Sequence, residues 1–164
     1  MQKNRFQAVL ARFEAPREAA TRGELDATLM ELAALAARLR ADHRSRDLAM
    51  LASALSATLT KAATSLAQAE RVVLRASEMS RVGGAAWTEM LEDVAAGAPA
   101  RAERLERCEA SYAEARALEE HAQARLHESR RAAIVTHASA VLWMESLRAK
   151  LAYRLETRWS EAAA

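Results

Sequence analysis

Two stretches of roughly sixty residues without a glycine or proline account for most of this 164-residue chain. Few folds tolerate that. Turns and sheets need Gly, Pro, Asn and Asp at short intervals, whereas a long helix needs their absence. The residues inside the stretches agree: Ala occurs 42 times and Leu 20 times, against seven Val and a single Ile. Strands favour β-branched and aromatic side chains, so a sheet is excluded. The expected fold class is all-α: two long helices in an antiparallel coiled-coil hairpin, with a short helical insert at the tip.

The apolar pattern sets the expected boundaries. Leu25, Leu29, Leu32, Ala36 and Leu39 recur in steps of four and three, the spacing of a coiled-coil seam. Leu48, Ala52, Leu55, Leu59, Ala62, Leu66, Ala69, Val73 and Ala76 repeat it. Nine residues separate Leu39 from Leu48, where seven would keep register. With no Gly or Pro between them, the spacing predicts one helix over about 16–81 with a stutter near 43–47. A break into two helices there is the alternative. Gly83-Gly84 reads as a helix stop, residues 82–98 as a tip insert, and 99–159 as the second long helix. The whole chain, 1–164, then forms a single hairpin with both termini at one end. Its Ala-rich seam buries little area, so such a hairpin gains stability from a partner or from its own copies.

Charge narrows the partners. There are 24 basic and 22 acidic residues, interspersed along the chain. That is a solvated helix surface, without the basic stripe of a nucleic-acid footprint. No apolar run approaches the ~20 residues of a membrane span, and the N-terminus lacks the core of a secretory signal. A single cysteine, Cys108, excludes an intrachain disulfide framework. These features fit the cytoplasm.

No chemistry-bearing constellation emerges. His43, His121, His127 and His137 are preceded three residues earlier by Arg40, Leu118, Ala124 and Ile134. The Glu-x-x-His motif of helical di-metal sites is therefore absent. Neither a nucleophile with a paired base nor a phosphate-cradling glycine loop is present. The reading is no enzyme, no cofactor and no metal.

Aromatic residues point instead to binding. Phe6, Phe13, Trp143, Tyr153 and Trp159 all lie near the termini. Trp143, Leu147, Leu151, Leu155 and Trp159 form a stripe in steps of four that wraps around a straight helix. Together with Phe6, Leu10, Arg12 and Phe13 they form the expected partner-binding end. They could equally clamp the open end of the hairpin. Trp87, Met90, Leu91 and Glu92 form the expected contact at the tip.

The stretch Phe6-Gln7-Ala8-Val9-Leu10-Ala11-Arg12-Phe13-Glu14 resembles the opening of the bacterial type III secretion central-stalk family, the FliJ/YscO group with its Hrp-type members. Gln7, Val9, Leu10 and Glu14 stand at matching places. Phe13 stands where the family usually has Arg, and Pro16 follows unusually closely. The resemblance implies a non-enzymatic coiled-coil stalk at the inner-membrane secretion apparatus. It implies binding to the secretion ATPase hexamer, a link to the export gate protein, and in some members contact with secretion chaperones. The competing expectation is a self-assembling helical bundle, a homo-oligomeric structural or chaperone-like adaptor.

Overall fold

The computed structural model describes residues 21–97 and 102–162. All regular structure among them is helical: α1 (Thr21–Ala41), a 3₁₀ turn (His43–Ser45), α2 (Arg46–Ala95) and α3 (Ala102–Ala162). The described residues therefore hold three helices, where a two-helix hairpin was expected.

The long first helix is broken where its seam changes register. Asp42 leaves the helical region, with φ −104° and ψ 109°. Its carboxylate accepts hydrogen bonds from the Arg44 N–H (3.3 Å) and the Ser45 hydroxyl (2.7 Å). Asp and Ser give the backbone this local alternative to the helix ladder. Arg38 and Arg40 in the last turn of α1, and Asp47 in the first turn of α2, suit the ends of two separate helix dipoles. The out-of-phase residues become a chain reversal, and the supercoil is not merely adjusted.

The expected stop at Gly83-Gly84 does not occur, and the separate tip insert is absent. α2 runs through both glycines to Ala95 and ends before Gly97, whose φ is +84°. There the Ala96 N–H donates to the Glu92 carbonyl and the Gly97 N–H to the Val94 carbonyl. The two internal glycines serve packing. A Cβ on Gly84 would sit 3.2 Å from the Tyr112 ring, so α3 can bring that ring against the α2 backbone. This contact offsets the ~1 kcal/mol that glycine costs inside a helix.

The chain gathers into two compact units, one made of residues up to 65 with 130 onward, the other of 66–129. In the first, α1 and the near ends of α2 and α3 pack as three helices. Leu25, Leu32 and Leu39 from α1, Leu59 from α2 and Leu147 from α3 are fully buried. Thr28 meets His137, Glu31 meets Arg148 and Asp42 meets Arg158. Numbers rise together along both helices, so α1 runs in the same direction as α3. The Thr21 end of α1 therefore lies at the level of His137, and the turn after Ala41 lies beside Arg158. The expected meeting of the two chain ends concerns residues outside those described. About 30 Å of helix separates the two levels.

In the second unit α2 and α3 run in opposite directions: Ser77 bonds Glu119, and Gly83 and Gly84 face Tyr112. Its buried apolar residues are Leu66, Ala76, Ala115 and Ala122. Small side chains let the helices approach closely but bury little area.

Candidate interaction surface

The last turns of α3 carry the densest polar structure in the first unit. The seam on α3 passes through His137, Ala140, Met144 and Leu147, all buried, in steps of three and four. Continuing that spacing reaches Leu151 and then Arg154. The guanidinium of Arg154 reaches the turn between α1 and α2. It donates to the Arg44 carbonyl (2.6 Å), the Ser45 hydroxyl (3.3 Å) and both Asp47 oxygens (3.1 Å each). Arg158 donates to Asp42 at 3.3 Å. A planar fork can bridge several acceptors at once, as a lysine ammonium cannot.

The charges respond accordingly. The Arg154 hydrogen bond holds the Asp47 carboxyl below its usual range. The Ser45 hydroxyl, helped by the Arg44 N–H, Arg158 and Arg154, does the same for Asp42. Arg154 is raised in turn, chiefly by Asp47. Beside this latch lies a surface groove of about 460 Å³, lined by Asp47, Leu48, Ser146, Lys150, Tyr153 and Arg154 among others. The sequence reading missed the latch; the signals for it were the Asp42-x-x-Ser45 pattern and Asp47 just beyond it.

The stripe of four-residue steps does not form one face. Each step turns about 40° on a helix, which carries Trp143 and Trp159 about 160° apart. Leu147, one step along from Trp143, is 1% exposed and belongs to the core. Leu151 is half-buried, while Trp143 and Leu155 are exposed. Trp159 and Tyr153 stand out furthest, at 78% and 68% exposed. The candidate surface is thus the end of α3 beyond the core, carrying Tyr153, Leu155 and Trp159 beside the Arg154 latch. Phe6, Leu10, Arg12 and Phe13 lie outside the described residues.

At the far end of α2, Trp87 and Met90 are half-buried, and Leu91 and Glu92 are exposed. They share the last turns of one continuous helix. A cleft of about 420 Å³ lies in the same unit, lined by Gly83, Ala86, Arg104, Arg107, Cys108 and Ser111 among others.

Among the described residues, no group of His, Cys, Asp and Glu could hold a metal ion. No described helix is long and apolar enough to cross a membrane. No family model, curated protein or solved structure matches the chain.

Proposed function

We propose that the protein is a non-enzymatic helical adaptor that docks a partner protein at the end of α3. One observation carries this reading: beyond the buried seam of Ala140, Met144 and Leu147, the last turns of α3 leave Tyr153, Leu155 and Trp159 exposed. Trp and Tyr are the side chains that most often anchor interfaces. The Arg154 latch holds the helix that presents them, so little order is lost on binding.

The resemblance of Phe6–Glu14 to the type III secretion stalk family names the partner class. In this reading the chain is a cytoplasmic stalk of that apparatus, bound to the secretion ATPase ring and linking it to the export gate, with secretion chaperones as further clients. α2 and α3 supply its antiparallel helix pair. The basic residues Lys3, Arg5, Arg12, Arg17 and Arg22 complement an acidic ring surface.

The test is direct binding to the secretion ATPase from the same cell. Affinity should fall at least about tenfold for Trp159→Ala, fall on deleting residues 1–14, and weaken as salt is raised. It should be indifferent to Glu92→Ala. No binding to the ATPase overturns the stalk reading. Binding that survives both the deletion and the Trp159 change overturns the docking end.

A further inference from the structure

In the second unit, among the described residues, α2 and α3 pack as a pair with no third helix. Their seam on α2 runs through Leu66, Ala69, Val73, Ala76, Ser80, Gly83 and Trp87, in alternating steps of three and four. The residues just before Val73, Ser80 and Trp87 are Val72, Met79 and Ala86. The residues just before Tyr112 and Glu119 on α3 are Ser111 and Leu118. In an antiparallel pair these two sets flank the same side of the seam. The cleft confirms it, because Ala86 and Ser111 line it together. Ser77, with Glu119, occupies the other side. This side of the seam therefore carries a small apolar cluster: Val72, Met79, Leu118 and, one row further out, Val82 are each close to half exposed.

Charges on this face have a symmetry. Arg75 lies seven residues before Val82, and Glu89 seven after it, so each is about two turns away on the same row. Met79 and Ala86 fill the interval on either side. Among the described residues neither Arg75 nor Glu89 forms an ion pair, whereas Arg81, Arg107 and Arg116 pair with Glu78, Glu103 and Glu120 along their own helices. A two-fold axis through Val82 sets Arg75 of one copy opposite Glu89 of the other, twice over. A parallel pairing would set Arg75 against Arg75 and Glu89 against Glu89, which repels.

We propose that this face takes a second copy of the chain, with α2 packed antiparallel against α2 about Val82. The interface is isologous, with Met79, Val82 and Ala86 at its centre, two Arg75–Glu89 pairs flanking it and Leu118 at its rim. Its apolar centre is small, so the dimer is reversible and dissociates in roughly the micromolar range. It uses only residues of the second unit and goes beyond the docking role proposed for the end of α3.

The full chain is followed by sedimentation equilibrium across concentration. The wild type should dimerise, and Val82→Glu should leave it monomeric, since two like charges would meet on the axis. Arg75→Glu and Glu89→Arg should each weaken the dimer roughly tenfold, because two attractive pairs become two repulsive ones. The double variant R75E/E89R should recover to within about threefold of wild type, because the pairs re-form with signs exchanged. All three positions are exposed, and unchanged helix content and melting would exclude misfolding as the cause. A chain monomeric up to ~100 μM, a dimer indifferent to Val82→Glu, or a double variant no better than the single ones would each overturn the proposal.

Discussion

His137 Nε2 and the Thr28 hydroxyl share a 2.8 Å hydrogen bond in the interior of the first unit, joining α1 to α3 across 109 residues of chain. Both residues are buried. Burial pushes the His137 imidazole below its ordinary value, and the Glu24 carboxylate partly opposes this.

The pH dependence of stability follows from that shift. The folded state holds His137 neutral, whereas the unfolded chain takes up a proton near the ordinary value of about 6.5. Stability should be complete above that value and decline as pH falls through it toward the lower folded value. Melting temperature measured from pH 8 to 5 should show the decline, and His137→Gln should flatten it. Asp42 and Asp47, lowered by their hydrogen bonds, act in another window. Their contribution is present above about 3.9 and is lost only in stronger acid.

Arg154→Ala should release the turn that separates α1 from α2. Amide exchange at Ser45–Leu48 should quicken while exchange near Leu59 stays slow. Arg154→Lys should not restore protection, because one ammonium cannot reach the Arg44 carbonyl and both Asp47 oxygens together. Protection unchanged in Arg154→Ala would show that Asp42 holds the turn alone.

Core and flank of the aromatic stripe should separate in denaturant melts. Leu147→Ala removes a fully buried side chain and should cost about 2–5 kcal/mol. Trp159→Ala, four-fifths exposed, should stay within about 0.5 kcal/mol of wild type. Equal losses for the two would mean that Trp159 is covered in solution.

The two helical glycines should differ. A Cβ at Gly83 meets Tyr112 and Ala115 at 3.6 Å or more, ordinary contact, so Gly83→Ala should stabilise by about 0.5–1 kcal/mol. At Gly84 the same carbon lies 3.2 Å from the Tyr112 ring, which must shift. Gly84→Ala should gain less or lose stability. The order of the two melting temperatures decides it.

Sequence alone determined that the described residues are helical and, along α1 and α2, which side turns inward. Leu25, Leu32, Ala36 and Leu39, and Leu48, Ala52, Leu59, Leu66 and Ala76, are buried as their spacing requires. Periodicity is a local property, so it survives any arrangement of the helices. Tertiary structure decided the rest. At residues 42–47 a stutter and a reversal have the same spacing. The choice fell to the Asp42 bonds with Arg44 and Ser45, joined by Arg158 on Asp42 and Arg154 on Asp47 from more than a hundred residues away. At Gly83-Gly84 local propensity favours an end, but the ring of Tyr112 on α3 makes an unbroken helix the better packed state. The stripe from Trp143 to Trp159 was legible as apolar. Which of its members lie inside depended on α1 packing in the same direction as α3, which makes Leu147 core and leaves Trp159 exposed. Contacts between residues so far apart in the chain leave no local trace in periodicity, and they set both the fold and the surface available for binding.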